Sequence, residues 1–172
     1  PRSLRELTTI TRTFVSRARH EGWSAAWSTA HARLMPVDEE PYAVWLRRHE
    51  PDAEELQQQR DVSRTWAERP LVSIITPAYN TQPDWLRECY ASLQAQTYDQ
   101  WEWCVCNDAS PNKETRRALD AIATSADGRV RLTHRQTNGG ISAASNDALA
   151  LATGELIVLL DHDDVLAPTA LW

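Results

Sequence analysis

The chain is 172 residues long, 42% apolar and 24% charged, with a formal net charge of -6. That balance excludes disorder as the main state, and no stretch approaches the roughly 18 consecutive apolar residues of a membrane-spanning helix. The charge is uneven: residues 1–35 carry six Arg against two Glu, residues 36–70 five Arg against nine acids, and residues 71–172 seven bases against thirteen acids, which leaves no broad basic face for nucleic acid in the last part.

The first seventy residues read as helices joined by polar connections. Leu4, Leu7, Ile10 and Phe14 keep three- and four-residue spacing, Gly22 interrupts, and a second helix spans Ser24 to Leu34 before Pro36. Two more helices are predicted over 41–49 and 52–66, because Pro41 and Pro51 suit first-turn positions and acids cluster in the opening turn of the second. The basic amphipathic opening, with Arg2, Arg5, Arg12, Arg17 and Arg19, fits a peripheral contact with an acidic membrane face as well as it fits an ordinary solvated helix face. The chain is expected to divide near Pro70 into an α-helical N-terminal extension (1–70) and a second domain (71–172).

After Pro70 strands and helices alternate. LVSIIT (71–76) is a short β-branched run, and Trp85, Leu86, Cys89, Tyr90 and Leu93 then keep helical spacing. WEWCVC (101–106) is the second strand, 115–123 the second helix, 129–134 the third strand, 141–152 the third helix and ELIVLL (155–160) the fourth strand. This order predicts an α/β, Rossmann-like, doubly wound parallel sheet with right-handed crossovers and helices on both faces. Cys104 and Cys106 share one strand face and Cys89 lies on a helix; they form neither a disulfide framework nor a zinc pattern, and read as small core residues of a protein in a reducing, cytoplasmic setting.

In such sheets ligands bind beyond the carboxyl ends of the strands. Strand one is followed by Pro77, Ala78, Tyr79 and Asn80, strand two by Asn107, Asp108, Ala109 and Ser110, strand three by Asn138, Gly139 and Gly140, and strand four by Asp161, His162, Asp163 and Asp164. Each set alone is ordinary turn chemistry. Together they bring an aromatic ring, amides and up to four carboxylates to one rim, which implies a positive partner. PAYN lacks the glycines of a dinucleotide fingerprint and no P-loop occurs, so a hard divalent cation, Mn2+ or Mg2+, beside Asp161 and Asp163 is the remaining way to hold a diphosphate. On a locally extended backbone His162 would point away from these two. A phosphatase of the haloacid-dehalogenase type, with Asp161 as nucleophile and Asp163 as acid/base, also satisfies D-x-D-x-V, although that motif normally follows the first strand of its sheet.

The stretches VSIITPAYNT, WEWCVCNDAS and NGGISAASNDALALATGELIVLLDHDD, in this order and spacing, resemble the nucleotide-sugar-binding half of family 2 glycosyltransferases, which have the GT-A fold. The helical leader with YAVWLRRHEP resembles that of some bacterial members that build surface polysaccharides. The resemblance implies transfer of a sugar, with inversion, from a nucleotide-diphosphate donor, a UDP- or dTDP-sugar favoured, to a glycan or lipid-linked saccharide acceptor. It implies that Pro77 and Ala78 line the nucleotide pocket, Tyr79 lies against the base and Asp108 accepts from the base N–H. Asn138 and Gly140 would border the pyrophosphate with Asn146 nearby; Asp161 would face ribose and metal, and Asp163 would ligate the metal. Two positions depart from the family pattern: Ser145 replaces a frequent Arg, and Asn107 a frequent Asp. The carboxylate base is expected beyond Trp172, so the chain is expected to be a fragment that holds the donor site without the acceptor half, or else a module that binds donor without transferring it.

Overall fold

The run WEWCVCN alternates bulky rings with small or polar side chains, and it becomes a fully buried strand of a four-stranded parallel sheet. The computed structural model describes residues 42–124 and 128–172; the helices read at 4–14 and 24–34 lie outside them. Two compact units divide the chain, Pro1–Glu50 and Pro51–Trp172. In the first, α1 (Tyr42–His49) stacks Trp45 on Tyr42 and His49.

In the second unit, α2 (Ala53–Arg64) is opened by Asp52, whose carboxylate accepts from the N–H groups of Glu54 and Glu55 while the Glu55 side chain accepts from the Asp52 N–H. This is the capping box that D-x-x-E encodes. Although it precedes Pro70, α2 belongs to this unit: Ser63 Oγ donates to the Thr97 carbonyl at 3.1 Å and Arg64 pairs with Asp99. β1 (Val72–Ala78), α3 (Pro83–Gln94), β2 (Trp101–Asn107), α4 (Lys113–Ala123), β3 (Val130–His134), α5 (Gly140–Leu149) and β4 (Leu156–Leu159) follow in alternation. The strand order is β3-β2-β1-β4 and every pair is parallel, the doubly wound sheet that the sequence predicts.

Period-two alternation sends the two faces of the strands into different layers. Val72, Ile74, Trp101, Trp103 and Val105 pack under α3 and α4 with Leu86, Leu93 and Leu119. Trp103 stacks on Tyr90 with ring centroids 5.6 Å apart, and its indole N–H donates to Thr76 Oγ1 at 2.8 Å, so the polar atom of this buried ring is satisfied. On the other face Ile75, Cys104 and Cys106 meet Ala144 and Ala148 of α5, small residues that let the helix lie close to the sheet. All three cysteines are free and buried.

Glu102 is the polar exception on that face. Buried in β2, it accepts from Ser73 Oγ at 2.7 Å, from the Thr153 N–H at 2.6 Å and from Thr153 Oγ1 at 3.0 Å, and it pairs with Arg131. Ser73 Oγ in turn accepts from the Gly154 N–H at 2.8 Å. These bonds tie the α5–β4 connection to β1 and β2, and so fix where β4 begins and where its tip emerges.

β1 runs two residues past the expected end at Thr76, with Pro77 and Ala78 opposite Cys106 and Asn107. A proline is tolerated in this central strand because pairing with β4 stops at Ile75–Leu159, and on that side no N–H is needed at position 77.

Candidate functional site

The carboxyl ends of β1, β2 and β4 and the first turn of α5 enclose a cavity of about 390 Å³, within the usual size for a small-molecule site. Pro77, Ala78 and Tyr79 come from β1, Asp108 from the end of β2, Asn138, Gly140, Ile141 and Ala144 from the α5 entry, and Asp161, His162 and Asp163 from the end of β4. Eight residues singled out in the sequence thus meet at one cavity. Asn146 is not among its lining; it is exposed further along α5. Ile141 and Ala144, which supply apolar wall, carry no sequence signal apart from lying on the first turns of the helix.

Asp108 is 2% exposed. Its Oδ1 accepts from the Gly139 N–H at 2.9 Å, its Oδ2 accepts from the N–H groups of Gly140 at 2.8 Å and Gly139 at 3.2 Å, and Arg135 forms an ion pair with it, Nε 2.9 Å from Oδ1. The carboxylate therefore caps α5 from thirty residues away, filling the role that Gly139, with no side chain, cannot. Two backbone N–H groups thus engage both of its oxygens. Arg135 also pairs with Asp147 on α5. The positive charge that the carboxylate rim called for is, at Asp108, this guanidinium. Sequence reading missed Arg135 because nothing local shows that the tip of β3 approaches both acids. A Cβ on Gly139 would sit 2.6 Å from Arg135 Nη2 and 3.0 Å from the Ala143 Cβ, whereas Gly140 is favoured by its φ of +80, in the left-handed region.

The acids beyond β4 differ from expectation. The Asp164 N–H donates to the Asp161 carbonyl at 3.2 Å, so Asp161–Asp164 is a turn and not extended chain. The turn brings His162 into the lining beside Asp161 and Asp163, correcting the alternation that would have pointed it away. His162 Nδ1 is buried without a hydrogen-bond partner, with Asp163 Oδ1 at 3.7 Å. Cys89 of α3 holds the turn from below, its Sγ 4.0 Å from the Asp161 carbonyl. Burial, and then the charges of Asp164 and Asp163, push that thiol up to about 12. Asp161 and Asp163 present hard oxygen ligands at the cavity wall. Among the described residues no three His, Cys, Asp or Glu side chains gather to hold a metal by themselves; two carboxylates are a donor set that a hard cation such as Mg2+ uses together with water and phosphate oxygen.

Residues 73–171 match the family model described as Glycosyl transferase family 2, and the chain belongs to that family. It is 33% identical over 143 residues to the O-antigen biosynthesis protein RfbC of Myxococcus xanthus, a match covering 83% of this chain and 11% of the relative. It is 40% identical over 98 residues to the glycosyltransferase EpsJ of Bacillus subtilis, covering 57% of this chain and 27% of that one. Among solved structures it is similar to the mannosyltransferase PcManGT from Pyrobaculum calidifontis in complex with GDP-Man and Mn2+, with a TM-score of 0.53 and 26% identity over 66% of this chain and 35% of that chain. TarS of S. aureus in complex with UDP gives a TM-score of 0.51 and 26% identity over 59% of this chain and 30% of that chain. The fold is of the GT-A type, and the chain spans about a tenth to a third of the length of these proteins. The dehalogenase-type reading finds no support, since Asp161 follows the fourth strand, at the sheet edge. Among the described residues no helix is long and apolar enough to cross a membrane.

Proposed function

We propose that this chain carries the donor-binding part of a glycosyltransferase that transfers a sugar, with inversion, from a nucleotide diphosphate to a glycan or lipid-linked saccharide. The observation that carries the reading is the single cavity in which an exposed aromatic ring, Tyr79, and the carboxylates of Asp161 and Asp163 come from separate strand ends. Tyr79 stacks on the base, a contact worth about 1–3 kcal/mol where measured for nucleotides on aromatic side chains. Pro77 and Ala78 form a wall that brings backbone close to the nucleoside, and Asp108 with Arg135 holds the first turn of α5 in place as the opposite wall. Asp161 and Asp163 would hold Mn2+ or Mg2+, which supplies neutralisation of the charge that develops on the leaving diphosphate. The neighbours' ligands, GDP-Man with Mn2+ and UDP, support a nucleotide partner while differing in base; a uracil or thymine base is the preference that the family resemblance implies, with Asp108 accepting from its ring N–H. The acceptor class follows the O-antigen relative.

Calorimetry with UDP, dTDP and GDP, each with and without Mn2+, tests this. Binding of UDP or dTDP that requires Mn2+ and is lost in Asp163→Ala is the expected result. Equal affinity with and without the ion, or in the variant, refutes the site, and tighter binding of GDP refutes the base preference.

A further inference from the structure

Three strands end level at this site. Ala78, Asn107 and His134 are register partners on adjacent strands. Asn107 is buried, and its Oδ1 accepts both from the Ser110 N–H, at 3.2 Å, and from Ser110 Oγ. Ser110 Oγ in turn accepts from the N–H of Asn80 at 2.8 Å, the residue directly after Tyr79. Because the Asn107 oxygen is committed to Ser110, its amide nitrogen is the donor to His134 Nδ1 at 3.0 Å. Nδ1 is therefore the bare nitrogen, and the imidazole proton sits on Nε2, donating to Asp120 Oδ1 at 2.9 Å. Asn80 (φ 55) and Ala109 (φ 53) both lie in the left-handed region, which Asn adopts readily and Ala rarely.

We propose that Asn107 and His134 together position Tyr79: neutral His134 orients the Asn107 amide, the amide holds Ser110, and Ser110 fixes the left-handed turn at Asn80 that sets the angle of the Tyr79 ring. The proposal rests on the reading of this cavity as the nucleotide site. It also gives a reason for Asn at a position where the family pattern favours Asp. A carboxylate there could still hold Ser110, but opposite His134 it requires an N–H on Nδ1. With Asp120 already facing Nε2, that means an imidazolium.

Protonation reverses the bonding. Charged His134 donates from both nitrogens, so the Asn107 amide must turn its oxygen towards Nδ1, and the Ser110 N–H loses its acceptor. The groups around His134 are few: Asp120 from α4, itself 4.0 Å from Arg116 Nε, the uncharged Asn107 from β2, and the adjoining Arg135, which is taken up by Asp108 and by Asp147 of α5.

The test combines UDP affinity in the presence of Mn2+ with hydrogen exchange of the Asn80 amide, expressed as protection to remove the intrinsic pH effect. Both are measured at about pH 8 and about pH 5.5. A His162→Gln background removes the imidazole that lines the cavity. We expect Ser110→Ala to weaken UDP about fivefold and deprotect Asn80 with little change in melting temperature, the size of one lost hydrogen bond. The parent should bind UDP about fivefold more weakly at the lower pH. Asn107→Asp should show the opposite slope, and His134→Gln, whose amide oxygen accepts from Asn107 without titrating, should show none. Unchanged Asn80 protection and affinity in Ser110→Ala and Asn107→Asp at both pH values would overturn the proposal. Should UDP fail to bind while Asn80 protection follows the variants as stated, the positioning role stands and the nucleotide reading falls.

Discussion

Replacing Glu102 by Gln tests how the site is held from below. In the native chain the carboxylate accepts from Ser73 Oγ, from both donors of Thr153 and from Arg131, while only 4% of the residue is exposed. Gln keeps one acceptor oxygen, enough for Ser73 and the Thr153 N–H, but turns an NH2 group towards Arg131, donor against donor. Bonds to a buried charge are worth about 1.5–3 kcal/mol each. The Arg131 side chain is half exposed, so its share lies near the low end, about 1 kcal/mol. Together with the weakened Thr153 contact the loss is about 2–4 kcal/mol, or a fall of roughly 8–15 °C in melting temperature for a unit of this size. Burial pushes the Glu102 carboxyl up, but the hydrogen bonds from Ser73, Thr153 and Arg131 outweigh it and hold it below the usual carboxylate range. A carboxyl lower in the folded than in the unfolded chain stabilises above the unfolded value and loses that contribution as pH falls through the folded one. Urea denaturation of both proteins across pH should therefore show a constant gap between about pH 6 and 8 that closes below about pH 4. Equal stability at pH 7, or a gap that widens in acid, refutes the assignment of Glu102 as the ionised tie between the α5–β4 connection and the sheet.

Burial pushes Cys89 and Cys104 up to about 12 and Cys106 up to about 11, so a thiol-disulfide reagent at pH 8 should label none of the three in the folded chain within minutes and all three after unfolding; fast native labelling would contradict their packing. Gly154→Ala places a Cβ 2.4 Å from the Leu71 carbonyl oxygen, against backbone that cannot yield cheaply, and should cost about 2–3 kcal/mol in the same denaturation assay, in the range of overpacked sites. A neutral result there would mean that the connection into β4 moves freely.

Strands and helices were legible in the sequence where local chemistry decides them. The β-branched run of β1, the two-residue alternation of β2 and the D-x-x-E start of α2 each specify their element without help from elsewhere. What escaped depends on the approach of distant segments. Pro77 reads as a turn residue, and only the early end of β4 pairing makes it a strand residue. Asp108 reads as a free carboxylate at a rim, whereas the arrival of Gly139, Gly140 and Arg135 makes it a helix cap. The Asp161–Asp164 turn closes by a backbone bond that no side-chain pattern announces, and that bond is why His162 joins the cavity. The residue types that gather at the site were therefore readable, while the bonds each one makes were not.

Among the described residues β4 is four residues long, is paired on one side only, and leaves Leu156, Ile157 and Leu159 substantially open to solvent. Asp161 and Asp163 follow this outer strand, whereas Tyr79 and Asp108 follow the two inner ones. A ligand that bridges the two groups couples the margin of the sheet to its centre, so part of its binding free energy appears as slower fraying of β4. Occupancy of the cavity and integrity of that margin are one equilibrium seen from two sides.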